Sequence, residues 1–387
     1  MSETRTTKTS PQCCGGWKGV WKIGWKVLVC VVLLGWIFHA IFLNEAKAAA
    51  RQRGVVWDDL PRAEQWQQAW THGPHELWAQ VTLIHPGALA LSVVLMAMTI
   101  VLGVVRWRMV LRVHGLNLPW TRAAEISLVA HFFNSFLLGS TGGDLLKAYY
   151  AARETHHKKA EAVMTVFADR LIGLWAMLIF AGVMMVPNLG LLQAHGRLRA
   201  VALMVLAMLA ACSVLAFLAF RGGVSRKWGG ARDWLRRLPQ GERIDRLLES
   251  CREFGRQPLF LTRTLAVSMA LNAFCVLQVM VLCWGLQIKV PPMALFLIVP
   301  IIICISAVPI TPAGLGVREN LFVFLLAGAT MQVPPTLALA VSLLAYAGSL
   351  FWSIVGGIVY VTFREKHHLT EAELQENDAE PGEIAQR

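Results

Sequence analysis

Charged residues are missing from long stretches of the chain. Val27 to Leu43, Pro86 to Val105, Ala200 to Phe220 and Thr264 to Ile288 contain no Asp, Glu, Lys or Arg. About 20 apolar residues in a helix cross the roughly 30 Å hydrocarbon layer of a bilayer, so each stretch with its flanks predicts a membrane span. Leu171 to Ala194 adds another, with a helix expected to begin near Ala162 and to carry Asp169 and Arg170 inside it. Val290 to Val317 and Asn320 to Phe363 are too long for one crossing each. The pattern predicts an all-α polytopic membrane protein with about six full spans.

The apolar pattern breaks twice in the same manner. Around Ser140 the chain reads "FFNSFLLGSTGGDLLKAYYAAR", and around Thr311 it reads "CISAVPITPAGLGVRENLFVFLL". Each holds a hydroxyl residue, a glycine three positions on and a basic residue four beyond that: Ser140, Gly143, Lys147 and Thr311, Gly314, Arg318. Each break follows an apolar run of about 14 to 16 residues and precedes an apolar helix of about 10 to 12, too short to cross. Open backbone at membrane depth is tolerated only where protein buries it or a wet cavity meets it, so both breaks read as re-entrant helical hairpins. Three full spans separate them, an odd number, which makes the hairpins enter from opposite faces. That relation is expected of inverted-topology repeats, here about 86–186 and about 264–363. The membrane domain is then 27–363, with an Arg-rich cytoplasmic loop at 221–263, a 1–26 cytoplasmic tail and an acidic tail at 364–387 expected to be disordered.

At each hairpin tip a second half-helix begins, and its free N–H groups and positive dipole end suit an anion. Lys147 and Arg318 follow within a turn, and Asp144, Asp169, Arg170 and Glu319 are the candidate partners that such charges need in a membrane. The candidate headgroup-binding residues are therefore Asn134, Ser140, Gly143, Asp144, Lys147, Asp169 and Arg170 at the first break, and Thr311, Gly314, Arg318 and Glu319 at the second. Asn134 and Ser140 also suit capping or cross-linking of the first hairpin. Gly142, Pro309, Pro312 and Gly316 shape the tips.

Composition agrees with a membrane protein: 56% of the 387 residues are hydrophobic, 16% are charged, and mean hydropathy is +0.52. A soluble globular domain is excluded. The net charge of +12 does not point to nucleic acid, because the basic residues cluster in alternate loops: Arg106, Arg108, Arg112 and Arg122, then Lys147, Arg153, Lys158 and Lys159, then ten arginines and Lys227 from Arg221 to Arg263. The Asn44 to His85 loop carries more acids than bases. Basic flanks place the N-terminus, these loops and the C-terminus in the cytoplasm, as for a multi-pass protein of the plasma (inner) membrane. Trp17, Trp21 and Trp25, each beside a lysine, read as an interfacial anchor, and Trp66 and Trp70 predict a short helix on the outer leaflet.

The eight cysteines follow no disulfide or zinc spacing, and His156-His157 and His367-His368 lack companion ligands, so no metal and no cofactor is expected. A GxxxxGK[ST] phosphate loop is absent, which leaves a gradient or a partner to drive any transport. Three function classes fit these residues. The preferred one is a lipid translocase whose partner is a membrane lipid with a polar or anionic headgroup, held at a midplane site formed by the two hairpins. The second is a scaffold that docks envelope-biosynthesis enzymes on the Arg-rich loop. An intramembrane enzyme is the third, and it needs a nucleophile with a base, for which Ser140 and His131 are the nearest pair.

At both breaks the chain resembles the flippase-like membrane domain of lysylphosphatidylglycerol synthetases, a family that includes stand-alone members. "NSFLLGSTGGDLLKAYYAAR" is similar to its Gly-Asp segment, "VFADRLIGL" to its acid-Arg segment, and "VPITPAGLGVRE" to its Pro/Gly segment ending in Arg-Glu. Asp169 stands where Glu is commoner, Lys147 where Arg is commoner, and "GSTGGD" lacks the usual preceding proline. The resemblance covers roughly Leu89 to Phe363 and implies movement of a lipid between leaflets. The stretch after Phe363 is too short for the aminoacyl-transferring domain of bifunctional members, so lysyl transfer is not expected.

Overall fold

The structure, a computed structural model, describes residues 60–136, 142–154, 159–221, 258–308, 311, 314–327 and 331–367, with scattered positions between 28 and 57. The 1–26 tail, residues 368–387, most of the Arg-rich loop, eight of the 17 residues from Val27 to Leu43, and Ser140, Pro309 and Pro312 lie outside the described residues, whereas 364–367, expected to belong to the disordered tail, are helical. Among the described residues every regular element is helical. The helices are α1 (Arg62–Thr82), α2 (Pro86–Val113), α3 (Trp120–Phe136), α4 (Gly142–Glu154), α5 (Lys159–Met185), α6 (Leu189–Ala194), α7 (Gly196–Arg221), α8 (Pro258–Gly285), α9 (Pro292–Ser306), α10 (Val317–Leu326) and α11 (Pro335–His367).

Among the described residues, five helical stretches are long and apolar enough to cross a membrane: those of α2, α5 continuing through α6, α7, α8 and α11. Proline punctuates their starts, since its missing N–H costs nothing in the first turn. Pro86, Pro258, Pro292 and Pro335 each open a helix. At the first of these, Gly87 N donates to His85 Nδ1 at 3.2 Å. Helix α1 is longer than the sequence suggests, with Trp66, Trp70 and Trp78 exposed on it. The second span also exceeds its apolar run: α2 continues through Arg106, Arg108 and Arg112 to Val113, so those residues are helical and do not belong to a loop. Trp107, Val110 and Leu111, all fully buried, extend its packing face past the first arginine.

The short helices are paired by the breaks. α3 and α4 flank one and α9 and α10 the other. At 1.5 Å per residue they measure about 26, 20, 22 and 15 Å, each less than the roughly 30 Å hydrocarbon layer. α9 is apolar all round and buried nearly all round, with Leu295, Leu297, Ile298, Ile301 and Ile302 in the main core.

Packing partners exchange in a regular way. α2 packs on α8; α3 packs on α11 and α9 on α5; α4 sits with α3 and α5, and α10 with α9 and α11; α2 and α8 each touch both α5 and α11. Small residues allow the closest crossings. A Cβ at Gly285 of α8 would lie 2.5 Å from Ala88 Cβ of α2, and one at Gly356 of α11 would overlap Leu128 O of α3.

Candidate functional site

The first break builds a polar cluster from five helices. Asn134, one turn from the end of α3, accepts a hydrogen bond from Gly143 N of α4 at 3.0 Å through Oδ1. This satisfies one of the free donors of the new helix and ties the two arms together. Only glycine fits at 143, because a Cβ there would overlap Ala130 O and lie 2.7 Å from Asn134 Oδ1.

Asp169 of α5 is buried and receives Arg106 of α2 through two bonds, Nε to Oδ1 at 2.7 Å and Nη2 to Oδ2 at 3.3 Å. Arg106 Nη1 also donates to Ser268 Oγ of α8 at 3.4 Å. Lys147 of α4 comes within 3.8 Å of Asp169 Oδ2, outside hydrogen-bond range, and its ammonium lies 4.2 Å from the centre of the Trp107 ring. Arg170 Nη2 donates to Asp144 Oδ1 at 2.5 Å. Space is cleared for these groups by Gly173, where a Cβ would sit 2.7 Å from Arg106 Nη1.

A cavity of about 230 Å³ opens among them, lined by Thr99, Arg106, Ser127, His131, Asn134, Asp144, Lys147, Asp169 and Arg170 together with apolar residues of α2 and Leu271. Ser127 Oγ is buried there without a hydrogen-bond partner. His131 Nε2 lies 3.2 Å from Ser349 O of α11, which couples the cavity wall to the last helix.

The second break builds a separate cluster. Gly314 and Gly316 have φ of +70° and +83°, the left-handed region that glycine enters without strain. Glu319 is fully buried and accepts from Gly316 N at 2.6 Å, Arg318 Nη2 at 2.5 Å, Arg318 Nε at 3.2 Å and Ser342 Oγ at 3.4 Å. The Arg318 guanidinium lies 4.7 Å from the centre of the Tyr346 ring. Thr311 Oγ1 and Ser306 Oγ are buried without hydrogen-bond partners.

The structure thus gathers Asn134, Asp144, Lys147, Asp169 and Arg170 around one cavity, with Gly142 and Gly143 at the start of α4. None of the second-break residues Thr311, Gly314, Gly316, Arg318 and Glu319 lines that cavity. Arg106, Trp107 and Ser268 were missing from the sequence-derived set. For Arg106 and Trp107 the signal is the continuation of apolar spacing past Arg106, at Trp107, Val110 and Leu111; Ser268 carries none.

Residues 66–356 match the family of the lysylphosphatidylglycerol synthase TM region. The chain belongs to this family. All the residues of both clusters fall within the matched lysylphosphatidylglycerol synthase TM region, as do all five spans except the last turns of α11. A comparison with curated proteins finds no match.

Proposed function

We propose that this family member is a lipid translocase, moving a lipid with an anionic headgroup between leaflets through the cavity at the first break. One observation carries the reading. The cavity is lined by three cations, Arg106, Lys147 and Arg170, against two carboxylates, Asp144 and Asp169. One positive charge is left over at a depth where an unpaired charge costs roughly 2.5 to 3.5 kcal/mol on insertion scales. Lys147 is the least committed of the three, because Asp169 is already held by Arg106 in two bonds. A phosphate offers what the site lacks, an acceptor for the lysine and a partner for Ser127 Oγ.

The translocase proposal includes re-entrant hairpins and inverted repeats. The four short helices support the first. For the second, exchanging α2, α3, α4 and α5 with α8, α9, α10 and α11 leaves the pattern of packing pairs unchanged. Correspondence reaches single residues. Arg106 of α2 bonds across to α5 over Gly173, while Gln278 of α8 donates to Ala345 O of α11 at 3.4 Å, over Gly348, where a Cβ would lie 3.0 Å from the amide nitrogen. Two like halves rocking against each other would present the cavity to each leaflet in turn.

The test is transbilayer movement of fluorescent-tail phosphatidylglycerol in proteoliposomes, read by quenching of the outer leaflet. Lys147→Gln should slow it roughly tenfold or more, the equivalent of about 1.4 kcal/mol of lost headgroup binding, with unfolding unchanged. Wild-type rates in Lys147→Gln would remove the cavity from the mechanism.

A further inference from the structure

Arg170 occupies an unusual place. It is 55% exposed at the side chain, yet it lies about 14 Å of helix beyond Glu161, where the apolar stretch of α5 begins. Phe167 and Leu171, next to it on the same helix face, are both 48% exposed. On the neighbouring α4, Leu145 and Tyr149 stand one turn apart and are also exposed. A guanidinium in the middle of an open apolar face borders lipid chains unless something polar answers it, and Asp144 answers it from inside the cavity. Asp144 is only 16% exposed, so the ion pair runs from the exposed side of α5 to the cavity side.

The cavity is small. Its 230 Å³ is below the roughly 300 to 1,000 Å³ typical of small-molecule sites. It equals about seven or eight waters at roughly 30 Å³ each, room for a phosphate and a short polar alcohol and not for acyl chains. Any lipid using it must keep its chains outside, and the exposed Leu145 and Leu171 are the chain neighbours of Asp144 and Arg170, which line the cavity.

We infer that the Asp144–Arg170 pair is the lateral mouth of the cavity. There a small-headgroup phospholipid exchanges its phosphate for Asp144 on the Arg170 guanidinium, while its chains lie along Leu145, Tyr149, Phe167 and Leu171. The inference rests on the translocase reading for its cargo and adds the chemical class and the way in. A planar guanidinium accepts phosphate and carboxylate in the same forked geometry, so the exchange replaces one anion by another without stranding the cation. Once displaced, Asp144 stays near Lys147 on α4, and the headgroup can pass inward to that ammonium.

Binding to the full-length protein in phosphatidylcholine nanodiscs tests this, with dihexanoyl phosphatidylglycerol, inorganic phosphate and dihexanoylglycerol as probes. Asp144→Asn removes the competing carboxylate, so dihexanoyl phosphatidylglycerol should bind roughly tenfold more tightly than to wild type. Arg170→Gln should lose that binding and Arg170→Lys should keep part of it. Phe167→Ser with Leu171→Ser should weaken the lipid and leave inorganic phosphate unaffected, and dihexanoylglycerol should not bind. If the lipid binds Asp144→Asn no better than wild type, or binds Arg170→Gln normally, the mouth is elsewhere. Equal binding of inorganic phosphate and lipid overturns the role of the apolar face. Should Asp144→Asn fail to fold, Asp144→Ser makes the same removal with a smaller side chain. Tighter binding in Asp144→Asn without transport in any protein would uphold the mouth and sink the translocase; transport without tighter binding would do the reverse.

Discussion

Removing Arg318 should destabilise the protein, and removing it together with its partner should not. Glu319 is fully buried and takes two charge-assisted bonds from Arg318, one from Gly316 N and one from the Ser342 hydroxyl. Stripping one partner from a buried ion pair typically costs 3–5 kcal/mol, because the other charge is left in a medium that cannot solvate it. Here the Gly316 and Ser342 donors remain, each worth about 1 kcal/mol, so Arg318→Gln should cost about 1–3 kcal/mol. The double variant Arg318→Met with Glu319→Gln leaves no buried charge, and the introduced amide oxygen still accepts from Gly316 N. Its cost should be within about 1 kcal/mol of zero. Unfolding in mixed micelles of dodecyl maltoside and increasing SDS, followed by circular dichroism, measures both. A loss below about 1 kcal/mol for the single variant, or a double variant as unstable as the single, would refute the view that Arg318 serves Glu319.

Gly173→Ala should displace the Arg106 guanidinium and reduce lipid movement in proteoliposomes severalfold, whereas Gly348→Ala meets only the movable end of Gln278 and should cost little. Asn134→Leu strands Gly143 N and should cost about 1–3 kcal/mol in the same micelle titration, with Asn134→Asp restoring most of it. Trp107→Leu removes the ring beneath Lys147 and should weaken dihexanoyl phosphatidylglycerol binding severalfold, by about 1 kcal/mol, while Trp107→Phe keeps part of it.

Much of the fold could be read from periodicity, because a membrane imposes a single length scale on apolar helices. The breaks at Gly142–Gly143 and Gly314–Gly316 were equally plain, since glycine and proline at membrane depth need a reason. Charge partners were harder. Lys147 with Asp169 and Arg318 with Glu319 were among the pairings expected, yet Arg106 was assigned to a cytoplasmic flank because it ends an uncharged run. What places it inside is the packing of Trp107, Val110 and Leu111 against other helices, which is a tertiary fact. The sequence also leads one to expect a single site shared by both breaks, but of the two only the first contributes to the cavity, alongside α2, α5 and α8. The second break spends its arginine on its own glutamate, a local hydrogen-bond choice that motif spacing does not reveal.

The seating of α3 on α11 bears on biogenesis. The ribosome makes α3 long before α11, so the nascent α3–α4 pair has no berth when it leaves the translocon. It must wait, shielded by its own Asn134 stitch or by a chaperone, until the C-terminal helix arrives. Truncation before Pro335 should therefore leave an inserted chain whose early hairpin is open to proteases, although every residue of that hairpin is present.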